Sequence, residues 1–262
     1  FENRGSYNAS TKGHMKDFGI FGNFGYKLNN NSILSLYGRS DNHNTAGRNE
    51  TYKINLKKFI NEFTIGITHS TGLRNPTLYE LYGTDNYGIK GNINLKSEKS
   101  RTNEFSAKYD FNKNLIFNST AYRTTIYDQI ETNSAYTMHE NQIVDINQEG
   151  LESSLLFKGG NQSILIFSNF SKSRKTNGQA QSRRPDLTYG INFMQELQSS
   201  IFGTINLNLN FKHTGKYIDW DGSKNSRQKS TDILDMSFTK NLSNYIISLN
   251  ISNMLNEDYE KH

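Results

Sequence analysis

Apolar and polar residues alternate one for one along most of this chain. Ile205, Leu207, Leu209 and Phe211 point one way, while Asn206, Asn208, Asn210 and Lys212 point the other. A helix would set Asn208 on one stripe with Ile201, Thr204 and Ile205, so the two-residue period of a strand holds and the 3.6-residue period fails. The same alternation recurs at Phe63–Ile65–Ile67, Phe105–Ala107–Tyr109–Phe111, Leu187–Tyr189–Ile191–Phe193 and Tyr245–Ile247–Leu249–Ile251. It predicts twelve strands, near 16–28, 32–41, 50–59, 62–71, 101–111, 114–128, 141–157, 161–172, 186–196, 200–213, 229–240 and 243–253. Each strand has one apolar and one polar face.

The connections between strands discriminate further. Short turns at Asn29–Asn31, Ile60–Asn61, Asn112–Lys113, Lys158–Gly160, Leu197–Ser199 and Asn241–Leu242 alternate with long polar loops at 42–49, 72–100, 129–140, 173–185 and 214–228. A soluble sandwich follows no such rule. An outer-membrane barrel does: its apolar face meets lipid, its polar face lines a wet lumen, its turns are short on the periplasmic side and long outside. A strand of about 10 residues tilted by about 40° covers the roughly 25 Å apolar band. Tyr26, Phe59, Phe63, Tyr109, Phe111, Phe157 and Tyr245 flank the short turns, where a barrel carries its aromatic girdle. The expected fold is therefore all-β, an antiparallel transmembrane β-barrel.

Strand direction sharpens this expectation. With short turns periplasmic, the first strand runs inward and the twelfth outward, which sets both sequence ends outside. Single-chain bacterial barrels have an even strand count, and the common plan has both termini periplasmic. An unpaired strand edge is untenable in lipid. Residues 1–262 are thus expected to be the C-terminal portion of a larger barrel domain, lacking an odd number of N-terminal strands and at least the last strand. A closed barrel with Phe18's strand paired to Ile247's would contradict that.

Composition changes the picture at a few points. With 262 residues, 34% hydrophobic and a mean hydropathy of −0.76, the chain on its own reads as a polar soluble protein; strands with one wet face account for the same numbers. The 15 Tyr and 16 Phe, beside 35 Asn, argue against disorder, which is poor in aromatics. The absence of Cys excludes disulfide scaffolds, zinc-thiolate sites, iron–sulfur clusters and cysteine nucleophiles. No apolar run reaches the roughly 18 residues of a spanning helix, and the opening FENRGSYNAS has neither the basic segment nor the apolar core of a secretory signal. The net charge of +5 admits nucleic acid. Arg174–Lys175 and Arg183–Arg184, however, gather in one loop without interleaved aromatics, so a solvated loop near anionic headgroups is expected and no nucleic acid.

Other candidate chemistry is sparse. His14, His43, His69, His139, His213 and His262 lack metal-ligand spacing. His69 and Ser70, adjacent in a strand, point to opposite faces and cannot pair for nucleophilic catalysis. Asp219–Trp220–Asp221–Gly222 resembles a calcium loop but lacks the third ligand and terminal Glu. Asn118 and Asn169 begin glycosylation-like triplets inside predicted strands, an unsuitable place for a glycan.

Residues 72–100 resemble a stretch of TonB-dependent outer-membrane receptors. There a strand ends in Arg, a small residue, Pro-Thr or Pro-Ser and a Leu/Tyr-rich run; a loop and Asn-Pro-Asn-Leu-Lys-Pro-Glu-Lys-Ser then open the next strand. Arg74, Asn75, Pro76, Thr77, Leu78, Tyr79, Glu80, Leu81 and Tyr82 match the first half. Asn92, Asn94, Leu95, Lys96, Glu98, Lys99 and Ser100 match the second, with Ile93 and Ser97 where the family usually has Pro. Asn147 to Glu152 resembles the family's Gly-Val/Leu-Glu element, and Asn253, Leu255, Asp258 and Tyr259 its penultimate-strand signature. The order and spacing are most similar to the cobalamin receptors, with siderophore and haem receptors sharing most landmarks.

The resemblance implies about twelve of 22 barrel strands in a bacterial outer membrane and energised uptake of a scarce, bulky solute. It implies outer-membrane lipid, a plug domain of the same protein and the TonB complex as partners, no enzyme activity and no resident cofactor. Plug, N-terminal strands and last strand would lie outside residues 1–262. Asn192, Asn206, Asn208, Asn210, Thr64 and Asp235 would face plug or water. Tyr82, Tyr87, Tyr136, Tyr217 and Trp220 are the candidate solute contacts, with ordinary loop packing the alternative for each. A passive pore and a soluble all-β binding protein remain the competing classes.

Overall fold

The structure, a computed structural model, describes residues 10–11, 13–220 and 225–258. Twelve strands form one antiparallel sheet in chain order, each bonded to its sequence neighbours. They are β1 (Asp17–Asn29), β2 (Ser32–His43), β3 (Gly47–Ile60), β4 (Phe63–Arg74), β5 (Glu98–Asn112) and β6 (Leu115–Tyr127), followed by β7 (Ile146–Gly159), β8 (Gln162–Lys175), β9 (Leu187–Ser199), β10 (Gly203–Thr214), β11 (Thr231–Asn241) and β12 (Ile246–Ile251). β1 and β12 do not pair, so the sheet keeps two open edges.

Register turns the alternation into two surfaces. One row runs Tyr26–Leu34–Leu56–Ile67–Phe105–Ala121–Leu151–Phe170–Leu187 across nine neighbouring strands. A second runs Ile60–Phe63–Tyr109–Phe117–Leu155–Ile166–Ile191–Phe211–Leu234. One row of the opposite face runs Lys57–Gly66–Ser106–Thr120–Glu152–Asn169–Thr188–Thr214–Thr231 and holds no large apolar side chain. The apolar face is the more exposed one, with Ile67, Phe105, Phe170 and Ile191 all open, whereas Thr68 and Gly190 on the polar face are buried. In a curved sheet the open face is convex, which sets the apolar rows outside and the polar rows inside.

The inner face is shaped by glycines covered by neighbouring rings. Gly150 faces Tyr122 across the strand pair, and Gly190 faces Phe167. A Cβ at either position would run into that ring and into a backbone carbonyl. This is the ring-over-glycine pairing that lets a sheet bend without leaving a hole.

The strand pattern agrees with the alternation, and the connections depart from it in four places. The expected loop 42–49 is a three-residue link, because β2 continues to His43 and β3 begins at Gly47. The buried His43 ring accepts from the Thr45 and Ala46 amides, at 3.2 and 2.9 Å, and Gly47 takes φ +75°. Short and long connections therefore do not alternate strictly. Residues 72–100 hold a one-turn helix, α1 (Leu78–Tyr82). The loop expected at 129–140 holds a small hairpin, Ile130–Thr132 with His139–Asn141, so the strand expected from 141 begins at Ile146, and Tyr217–Trp220 pairs with Asn225–Gln228. Phe59 leaves the outer girdle: it pairs with Thr64 on the inner face, while Phe63 and Tyr109 stack outside with centroids 4.2 Å apart.

Candidate functional site

The strands end in a crown of joined loops at the long-connection end. Its foundation is the capping box of α1. The Thr77 hydroxyl accepts from the Glu80 amide at 3.2 Å, and the Glu80 carboxylate accepts from the Thr77 amide at 2.7 Å. Two orphan donors at the helix start are thereby satisfied. Arg74, the last residue of β4, donates to Glu80 at 3.0 and 3.1 Å and to Glu98 at 2.5 Å. Glu98 in turn accepts from the Ile130 amide at 2.7 Å. Burial pushes the Glu80 carboxyl up, but the Arg74 guanidinium and the Thr77 amide outweigh it and hold its pKa below the ordinary value.

A small apolar core sits above this network. Leu81, Leu95 and Ile130 are buried together with Tyr82 half-buried against them, and Pro76 is wholly covered. The Tyr82 hydroxyl lies 3.3 Å from Thr45 Oγ1. Loops 75–97 and 128–145 are also clasped by backbone. Lys90 donates its amide to Thr137 at 2.8 Å and accepts from the His139 amide at 3.1 Å. The Asn141 side chain accepts from the Lys96 amide at 2.8 Å and donates to the Lys96 carbonyl at 3.0 Å and the Asp128 carbonyl at 2.7 Å. Asn92 donates to the His139 carbonyl at 3.0 Å.

Most of the family-motif residues thus build the crown. Asn75 accepts from the Ser97 hydroxyl at 2.7 Å and donates to Asp17 at 3.1 Å, and Tyr79 donates to Asp85 at 3.2 Å. Asn94, Lys96 and Lys99 are exposed along the return to β5. At the far end Asn253 pins the chain after β12, donating its amide to Asp235 and exchanging side-chain bonds with Glu257. Leu255 and Asp258 are exposed there, and Tyr259 lies outside the described residues.

Of the candidate contact residues, Tyr82, Tyr87 and Tyr136 share the clasped loops. Tyr82 belongs to their core, whereas Tyr87 and Tyr136 stand out on hairpin tips, 88% and 67% exposed. Tyr217 is on the separate hairpin after β10. The Trp220 side chain and residues 221–222 of the calcium-like segment lie outside the described residues. Asp219, the first residue of that segment, is buried and accepts from Arg183 Nε at 2.9 Å.

The 173–185 loop folds onto the 217–228 hairpin, which sequence spacing did not anticipate. Between them lies a cavity of about 390 Å³ lined by Lys172, Arg174, Arg184, Asp186, Lys216, Tyr217 and Arg227 among others. The basic residues of the 173–185 loop were read in the sequence, and Lys216 and Arg227 of the next loop were not. The convergence was not legible, because it depends on how two loops pack. Below the crown, Asn192, Asn210 and Asp235 form one inner row and Asn206 pairs with Thr239, with Asn208 donating to Ser237 at 3.2 Å. His69 and Ser70 do point to opposite faces, and His69 Nδ1 lies 2.7 Å from Asn103 Oδ1.

An antiparallel meander with an apolar outer face, a polar inner face and a folded crown on one rim defines the wall of an outer-membrane barrel. The chain belongs to the family described as TonB dependent receptor-like, β-barrel, which it matches over residues 1–254, and so to a family of bacterial outer-membrane receptors and transporters rather than enzymes. It is 25% identical over 234 residues to a vitamin B12 transporter, BtuB, of Vibrio cholerae, covering 87% of this chain and 37% of that one. Two solved structures share its fold. The siderophore receptor PirA from Acinetobacter baumannii has a TM-score of 0.74 at 16% identity, over 98% of this chain and 45% of that one. The ferric-catecholate import receptor Fiu from E. coli K12 has 0.73 at 15%, over 94% and 41%. The chain spans less than half the length of each of these relatives.

Proposed function

We propose that this chain is wall and outer crown of a receptor that takes up a scarce, bulky solute across the outer membrane by TonB-coupled transport, and that the solute is cobalamin. The observation that carries it is the crown: two long loops folded into one body, with two exposed tyrosines on its tips, above a polar inner wall. Rigid aromatic tips on a preorganised support suit capture of a large ligand at low entropic cost. The match to a vitamin B12 transporter supports cobalamin in particular. Further strands complete the wall at its two open edges, a plug domain of the same protein fills the lumen and links it to TonB, and no cofactor takes part.

A second reading, a ferric siderophore, is favoured by the cationic cavity beside Tyr217 and suits the anionic oxygens that bind iron. Labelled cobalamin and a labelled ferric catecholate, given to the deletion strain complemented with wild type or with Tyr87→Ala plus Tyr136→Ala, separate the two. Cobalamin uptake restored by wild type, abolished by a protonophore and lowered several-fold by the double variant is the expected result. Restoration of catecholate uptake alone would transfer the assignment to the siderophore, and uptake insensitive to the protonophore would replace it by a passive pore.

A further inference from the structure

The tight turn between β2 and β3 is built on a titratable group. His43 is 2% exposed, and its Nδ1 accepts from both the Thr45 and the Ala46 amides. A neutral imidazole that accepts at Nδ1 carries its proton on Nε2, and Nε2 is buried here without a partner among the described residues. Gaining a proton turns Nδ1 from acceptor into donor, so two amides lose their partner at once. Histidine is the side chain whose charge changes between about pH 5 and 8.

This turn also ties the first strands of the wall to the crown. Thr45 Oγ1 meets the Tyr82 hydroxyl of α1. Just beyond the turn Asn49 donates to Ser97 at 3.3 Å, Ser97 donates to Asn75, and Asn75 donates to the Asp17 carboxylate at 3.1 Å. Asp17 is the cross-strand partner of His43, which puts their Cβ atoms about 5 Å apart on the inner face. The other charges around the ring are committed elsewhere. Asp41, two residues along the same face of β2, pairs with Arg39 at 2.6 Å. On β3, Gly47 stands opposite His43, while Arg48 and Glu50 pair with each other on the outward face. Arg74 is held by Glu80 and Glu98. Ahead of β1, His14 is exposed and lends its carbonyl to the Asn44 side chain at 3.1 Å.

We infer that His43 is an acid-operated latch between the wall and the crown. The neutral ring holds the 44–46 turn closed. The protonated ring leaves the turn for Asp17, displaces Asn75 and frees the crown loop from the edge of the wall. Asp17 therefore serves both states, as the anchor of Asn75 in one and the counter-ion of the imidazolium in the other. Because the bonds to Nδ1 exist only for the neutral ring, the closed latch is complete at mildly alkaline pH and is lost as the pH falls. The inference is independent of the solute and of TonB coupling.

The test is hydrogen–deuterium exchange of the full receptor in mild detergent at about pH 7.5 and about pH 5.5, corrected for the intrinsic pH dependence of exchange. Wild type is expected to lose protection at residues 44–49 and 75–82 by at least about tenfold on acidification, with β9 and β10 unchanged. Glu80 does not produce that change, because its carboxyl is held below the ordinary carboxylate range and stays ionised at both values. His43→Asn sets a non-titrating acceptor where Nδ1 stands, as in an Asx turn, and is expected to keep its protection at both. Asp17→Asn removes the partner of the protonated ring and is expected to move the loss to lower pH. No loss in wild type, or the same loss in His43→Asn as in wild type, would overturn the latch. If His43→Asn lost its heat-modifiable migration, Asp17→Asn decides instead, and a pH profile identical to wild type overturns the inference.

Discussion

Arg74 holds Glu80 and Glu98 together at the base of the crown, with the two carboxylates mostly covered at 15% and 16% exposure. Arg74→Ala leaves both without their cation and is expected to cost about 1–3 kcal/mol, seen as faster amide exchange at Leu81 and Ile130 with unchanged exchange in β9 and β10. Acid acts on the same bonds. Because the folded-state pKa of Glu80 is depressed, its contribution is complete above the ordinary carboxylate pKa and disappears as pH falls through the lower folded value. Crown protection should therefore fall in acid before that of the central strands, and Glu80→Gln should flatten the dependence. Thr77 and Glu80 were read only as part of the family motif, although their spacing of three residues is the signature of a capping box. Asn141 carries no such local signature, because its work is done on Lys96, 45 positions away.

Among elements, the strands were legible because a period of two needs no knowledge of the partner. The connections were less so. Residues 42–49 looked polar enough for a loop, yet the His43 ring satisfies two amides locally and lets both strands run almost to the turn. Phe59 was misassigned because proximity to a turn does not specify a face. Within the sheet, Gly190 and Phe167 form a tight unit, since a Cβ on Gly190 meets both the ring and the Phe211 carbonyl. Gly190→Val is expected to destabilise by about 1–3 kcal/mol through overpacking, measured as a lower temperature for loss of heat-modifiable migration. Gly38→Val, at an outward position with open space, should leave that temperature nearly unchanged.

For the whole molecule, two faces with opposite tolerance follow from one register. Ile166 lies mid-strand on the lipid side, and Arg there should cost about 2–4 kcal/mol of barrel stability in lipid. Asn208→Arg on the inner wall should cost little, and urea titration of the receptor in bilayers distinguishes them. Family and fold could be read from sequence; the identity of the solute could not, because it depends on how the crown's tips are arranged around a ligand. The clasp between loops 75–97 and 128–145 also determines the shape that an antibody against the crown would have to recognise. Tyr87 and Tyr136 belong to one composite epitope, held by Lys90, Asn92 and Asn141, so a synthetic peptide copying either loop alone presents the right residues in the wrong shape. Antibodies raised on such peptides would recognise denatured protein and miss the living bacterium.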